Sequence, residues 1–327
     1  MVRQKNDPPR NAEADSEQFL NELQPHTLEY FEMISYSLLG PRSIRAMGTQ
    51  LNSLVELKLT SLSIKAIAEL PSLPSPPVLK VLVLTDSLPT SRNEEFYSIV
   101  SEVAGWISSC KSLRRLELRR FVDDPKLLSQ ALTDQGPHLT TLSLANYTLF
   151  GSRDFYEALP SQQSLQNLYL RGEGSENPDE NSAFVQAIGQ LKNLRELELK
   201  DISDGFRDYH AMPLILDLPR LERLWISGSF FDDAMLDAFL CLPQLKSLVI
   251  YALSEFRAEM IIEFISRLGP SNKGFNLSIL NSTVNGNLSE EEQTVIHEML
   301  KNNLNGSFDF ALAYEESTDD DSEDLSN

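Results

Sequence analysis

The chain has 327 residues, 41 % of them hydrophobic and 23 % charged, with a formal net charge of −20. That apolar content suffices for a large core or a repeat array and excludes wholesale disorder. The acidity, with no basic footprint in the totals, excludes a general nucleic-acid binder, and no apolar run approaches the roughly 18 residues that span a bilayer.

In chain order, the opening "MVRQKNDPPRNAEADSEQ" is polar and lacks the apolar stretch of a secretory signal. Residues 1–15 are therefore expected to be disordered, and the protein to reside in the cytoplasm or nucleus without contact to a membrane. The segment "SEQFLNEL" that follows predicts a short helix, covering whatever comes next through Phe19, Leu20 and Leu23.

From Leu28 onward one phrase recurs. It reads "LEYFEM" from Leu28, "LVELKL" from Leu54, "LKVLVL" from Leu79, "LRRLEL" from Leu113 and "LTTLSL" from Leu139. It continues as "LQNLYL" from Leu165, "LRELEL" from Leu194, "LERLWI" from Leu221 and "LKSLVI" from Leu245. The spacings are 26, 25, 34, 26, 26, 29, 27 and 24 residues, a period within the range of leucine-rich repeats. Apolar residues at offsets +3 and +5 from the first leucine alternate with polar ones, as in a short strand with one buried face.

Between the phrases lie helical patterns. Phe96, Ile99, Val103 and Ile107 share one side of "NEEFYSIVSEVAGWI"; Met235, Phe239 and Leu242 do so in "DDAMLDAFLCL", and Ile261, Phe264 and Leu268 in "RAEMIIEFISRL". Asp232 and Ser254 are candidate caps, and Pro160, Pro243 and Gly269 candidate stops. The stretches 85–95 and 171–183, rich in Gly, Pro, Ser, Asn and acids, predict loops at strand exits.

One strand and one helix cannot bury an apolar face alone, so neighbouring units must stack. The expected fold is an α/β leucine-rich repeat solenoid of about nine to eleven repeats over residues 16–314: a curved horseshoe with a parallel sheet inside and helices outside. "FNLSIL" (Phe275, Leu277, Ile279) predicts a tenth strand. A capping box, Ser289 with Glu292, opens a last helix, and "FDFALAY" predicts a closing strand. Residues 315–327 hold seven acids and no base, leaving −13 on the rest of the chain, and are expected to form a disordered acidic tail. Ser317 and Thr318, each with an acid three positions on, are candidate phosphorylation sites; five Asn-x-Ser/Thr triplets are expected to go unused inside the cell.

The nine phrases, their variable spacing and lead-ins such as "CKSL", "LPQL" and "LKNL" resemble the irregular, ribonuclease-inhibitor-like repeat region of F-box proteins of the fungal type. The familiar repeat carries Asn or Cys at offset +8, where its side chain ties neighbouring backbones together. Here that slot holds Tyr36, Leu62, Ser87, Phe121, Tyr147, Glu173, Ile202, Ser229 and Leu253, so the ladder is missing. The F-box itself, a helical segment that docks the ubiquitin-ligase adaptor, does not fit into residues 1–27. The resemblance implies a protein-binding solenoid that recognises substrates for a ubiquitin ligase, with the adaptor as a further partner where an F-box lies upstream. A histone-binding acidic repeat protein, a regulator of a small GTPase and a plain scaffold are the alternatives.

Offsets +2, +4 and +6 line the open face of such a sheet. Tyr169, Trp225 and Tyr251 fall there with Arg171 and Arg223, the residue types that dominate binding hot spots. Arg115, Arg119 and Arg120 form a basic cluster suited to a carboxylate or phosphate. The competing reading is that the aromatic rings pack on loops or on each other and that Glu117 neutralises the arginines.

Cys110 and Cys241 each precede a leucine phrase and are expected to be buried, reduced thiols. No metal-ligand spacing, phosphate loop or GxSxG elbow occurs, and His26, His138, His210 and His297 are scattered, so neither cofactor nor catalysis is expected.

Overall fold

Every leucine phrase opens a strand at its second offset. The computed structural model describes residues 12–34, 38–86, 94–120, 125–133, 135–148, 152–202 and 205–313. Its strands are β1 (Tyr30–Met33), β2 (Glu56–Leu62), β3 (Val81–Asp86), β4 (Arg115–Arg119), β5 (Thr141–Thr148) and β6 (Asn167–Glu173). β7 (Glu196–Lys200), β8 (Arg223–Asp232), β9 (Ser247–Glu255), β10 (Asn276–Ser282) and β11 (Ser307–Leu312) complete the set. They form one sheet in chain order, and each is parallel to the next.

Parallel neighbours require crossovers, and helices supply them. α1 (Ala12–Glu22) precedes β1; the crossovers are α2 (Pro41–Met47), α3 (Ile64–Glu69), α4 (Glu94–Ser109), α5 (Ser129–Leu132), α6 (Arg153–Ala158), α7 (Pro178–Gly189), α8 (Asp208–Asp217), α9 (Ala234–Phe239), α10 (Ala258–Arg267) and α11 (Glu290–Leu304). No helix among the described residues is long and apolar enough to cross a membrane.

The apolar offsets do the stacking. Leu57 and Leu59, Leu116 and Leu118, Leu197 and Leu199, and Leu248 and Ile250 are buried beneath the helices, as are the leading leucines Leu54, Leu113, Leu194 and Leu245. The even offsets on the other face stay partly or fully exposed, with Glu117 and Ser227 as buried exceptions. Strands sit about 4.8 Å apart while a helix with its side chains is about 10–12 Å wide. A one-sided stack of this kind must curl with the open sheet face inside.

Buried amides replace the missing ladder, on the approach to a strand and not after it. Gln162 donates from Nε2 to the Leu132 carbonyl (2.8 Å) while its Oε1 accepts from the Leu139 amide (2.8 Å). Gln50 reaches back in the same way to the Thr27 and Leu28 amides and the Gln24 carbonyl, and Asn272 to the Leu245 carbonyl. After the strands, Ser227 Oγ bridges the Leu199 carbonyl and the Ile202 amide. The chain then swings out through single left-handed residues: Ser61, Arg120, Asp201 and Asn281, with φ between 52° and 68°.

Both ends are covered. α1 lies against α2 through the Ser16–Ser43 hydroxyl contact (2.8 Å) and the Glu13 carboxylate, which accepts from the Arg42 amide (2.9 Å). At the other end Ser289 and Glu292 form the capping box of α11, and β11 closes the sheet.

Several sequence expectations are corrected. Residues 12–15 form the first turn of α1, because Glu13 is clasped to α2; of the three cap residues only Leu20 is fully buried, and Phe19 is 49 % exposed. Ser254 lies buried in β9 and caps no helix; α10 is preceded by Arg257, whose amide donates to Asp233. The segment 171–183 is not wholly a loop, since Asn177 caps and Pro178 starts α7. Cys110 is buried, but Cys241 is exposed in the turn after α9. Residues 1–11 of the expected N-terminal segment, and the tail with Ser317 and Thr318, lie outside the described residues.

Candidate functional site

The register of the parallel sheet turns the even offsets into rows that cross the strands. At offset +4 the row runs Val83, Glu117, Ser143, Tyr169, Glu198, Trp225, Val249. At offset +6 it runs Thr85, Arg119, Ala145, Arg171, Lys200. The sequence-predicted residues of the face therefore fall into two neighbouring zones.

The first zone, over β6 to β9, is aromatic. Trp225 and Tyr251 stack with ring centres 5.7 Å apart and planes at 17°, and the Lys200 ammonium sits 5.0 Å over the indole. Tyr251 is 45 % exposed. Beside them Tyr169 donates its hydroxyl to Glu196 Oε2 (2.6 Å), and Arg223 pairs with the other oxygen of the same carboxylate. Partial burial, and next the bond to Glu196, push the Tyr169 phenol above its ordinary range, so it stays a neutral donor. Burial pulls the Glu196 carboxyl up; the Arg223 and Tyr169 bonds outweigh it and hold the group below the usual carboxylate value. Between these side chains a small cavity of about 180 Å³ opens, lined by Tyr169, Glu196, Glu198, Arg223, Trp225 and Val249 among others.

The second zone, over β4 to β7, is cationic. Glu117, only 6 % exposed, lies between Arg115 and Arg119 and pairs with both, at 3.2 Å to Arg119. Arg171 pairs with Asp201 across two strands (Nε to Oδ2, 2.7 Å) and Lys200 with Glu198 (2.6 Å). Arg120 takes the left-handed turn at the exit of β4, its amide bound to the Ala145 carbonyl (2.9 Å). Arg119, Arg120, Arg171, Lys200 and Glu198, with Thr60, Thr85, Ser143 and Tyr169, line a cavity of about 450 Å³.

The cluster read from the sequence as Arg115, Arg119 and Arg120 is thus divided. Arg119 and Arg120 line the larger cavity, Arg115 does not, and two residues from other repeats, Arg171 and Lys200, join them. Strand adjacency is the signal that joins them, visible in the sequence only once the phrases are aligned at a common offset. At the far end of the face, Tyr30 is 46 % exposed with Lys58 5.1 Å over its ring, a second cation–aromatic pair that composition alone does not single out.

An eleven-stranded parallel sheet with helices on one side and an open polar-aromatic face on the other defines a leucine-rich repeat solenoid. No family model matches the chain, and no curated protein does. Among solved structures, the Rad7 and Elc1 complex from yeast aligns over 78 % of this chain and 70 % of that one, with 18 % identity and a TM-score of 0.46. The mouse RP105/MD-1 complex aligns over 81 % of this chain and 51 % of that one, with 16 % identity and a TM-score of 0.39.

Proposed function

We propose that this chain is a non-enzymatic interaction module that holds a folded protein or peptide against the open face of its sheet. The observation that carries this reading is the aromatic zone. A stacked Trp225–Tyr251 pair, flanked by Tyr169 and Arg223, presents large rigid side chains on a surface already shaped by the backbone, and such groups lose little conformational freedom on binding. Arginines on the same face weigh against a histone as occupant, because the partner's own cations would meet Arg115, Arg119, Arg171 and Arg223.

The finer reading follows the resemblance: recognition of substrates for a ubiquitin ligase. Purification of the tagged full-length gene product, with its partners identified by mass spectrometry, tests it. A ligase adaptor in stoichiometric amount supports the ligase role, and its absence reduces the reading to an interaction module. For the partner recovered, calorimetric titration against Trp225→Ala and Tyr251→Ala is expected to show a loss of tenfold or more in each, on the order of 2 kcal/mol. Full affinity in the double variant rejects the face.

A further inference from the structure

We propose that the cationic zone is a notch for an acidic peptide segment of a partner protein, with a partner carboxylate seated over Ala145 between Arg119 and Arg171. The proposal rests on the reading of the open face as a binding surface and names the chemistry that part of it selects.

The notch follows from side-chain size. β5 contributes Ser143 and Ala145 to the rows where β4 and β6 contribute Glu117 with Arg119, and Tyr169 with Arg171. A strand of small residues between two strands of long ones leaves a trough. Arg119 and Arg171 both pair with Ala145 in register, so their Cα atoms lie two strand spacings apart, about 9.6 Å. That gap admits a carboxylate reached by a guanidinium from either side, each contact a charge-assisted hydrogen bond.

The arginines are held ready for this. Arg119 uses an Nη2 contact to Glu117, and Arg171 uses its Nε to reach Asp201. A guanidinium has five N–H donors, so one ion pair steadies the side chain without exhausting it. Both side chains remain about three-fifths exposed, at 58 % and 62 %. Arg120 adds a guanidinium on a left-handed residue whose amide is tied to Ala145, an unfavourable conformation for a side chain of this size. The residues lining the cavity comprise four cations and one carboxylate, Glu198, on a protein of net charge −20. The interspersed Glu117, Glu198 and Asp201 repel a continuous polyphosphate, while isolated carboxylates on a flexible peptide can pass between them. Hydroxyls of Thr85 and Ser143 offer further donors at the floor.

The test uses the full chain and a fluorescein-labelled peptide in which single Glu residues are separated by Gly and Ser, with the peptide carrying Gln in place of Glu as control, followed by anisotropy. The acidic peptide is expected to bind with an affinity that falls steeply between about 50 and about 200 mM salt, and the neutral peptide not to bind. Arg119→Gln with Arg171→Gln is expected to weaken binding at least tenfold; Ala145→Glu, which fills the trough with a like charge, is expected to abolish it. Circular dichroism and the melting curve confirm that each variant is folded. Equal affinity in the double arginine variant overturns the assignment. So does binding that appears only after residues 315–327 are deleted, because the notch then belongs to the chain's own acidic segment. Trp225→Ala with Tyr251→Ala is expected to leave this peptide's affinity within twofold. If natural partners ignore that aromatic variant while the peptide still needs the arginines, the functional reading fails and the notch stands.

Discussion

Trp225 and Tyr251 sit on adjacent strands, β8 and β9, at different offsets, and their rings stack across that diagonal at 5.7 Å. The register makes this possible. Tyr251 lies directly opposite the small, buried Ser227, so its ring is free to lean over the indole two residues earlier. Lys200, from β7, places its ammonium 5.0 Å from the centre of the indole. The three form a cluster that belongs to no single repeat.

Such a stack is measurable as a coupling. In a double-mutant cycle of Trp225→Leu and Tyr251→Leu, the coupling energy is expected to be about 0.5–1.5 kcal/mol beyond the area lost. Urea unfolding monitored by circular dichroism reads it, and additive losses would show that the rings are merely adjacent.

The buried amide before β6 carries a larger consequence. Gln162→Leu preserves the side chain's bulk but orphans the Leu132 carbonyl and the Leu139 amide. Each orphaned group costs about 1–3 kcal/mol. Because repeats open locally, the loss is expected as faster hydrogen exchange in β5 and β6, with β9 to β11 unchanged. Unaltered exchange at Leu139 would refute the role given to Gln162.

The comparison of Gln162 with Cys110 shows what the sequence could and could not reveal. Both lie three residues before a leading leucine and both are fully buried, yet one is an amide that ties repeats together and the other a thiol. Periodicity makes the strands legible, since offsets +3 and +5 must be apolar wherever a one-sided sheet is buried. The same rule gives Tyr169, Trp225 and Tyr251 their place on the open face. It cannot tell which polar residues near a strand turn inward, as Gln50 and Asn272 do, because a buried amide depends on a carbonyl from the previous repeat. Nor does it reveal that Arg171 stands with Arg119: the two are 52 residues apart in sequence, and only the register over Ala145 unites them. Cys241 is exposed for a related reason. It falls where a helix ends, and Leu240 and Leu242 turn toward the core on either side of it.

The two thiols therefore differ in reactivity. Burial pushes the Cys110 thiol up to about 12, and its side chain is inaccessible, whereas Cys241 faces solvent. Titration with a thiol-specific chromogenic reagent near pH 8 is expected to modify one cysteine in the native protein and two in denaturant. Cys241→Ser should silence the native reaction; rapid labelling of Cys110 in that variant would contradict the packing around α4.

His210 supplies the pH dependence. Its Nδ1 accepts from the Arg207 amide (3.2 Å) and its Nε2 donates to the Pro178 carbonyl (3.3 Å), so the ring that joins α8 to α7 is the neutral Nε2–H tautomer. Burial, with the Arg207 charge behind it, lowers its affinity for a proton, and the Pro178 carbonyl and Asp208 offset this only in part. Protonation would set a second N–H against the Arg207 amide. The unfolded chain, with a histidine value near 6.5, thus binds the proton more readily than the folded one. Stability from this group is complete above about pH 7.5 and declines as pH falls through 6.5, levelling off below the folded value. In urea unfolding at pH 7.5 and 5.5, the wild-type midpoint is expected to fall further than that of His210→Gln, which keeps an acceptor and a donor but does not titrate. Equal declines would show that His210 is not the source of the acid sensitivity.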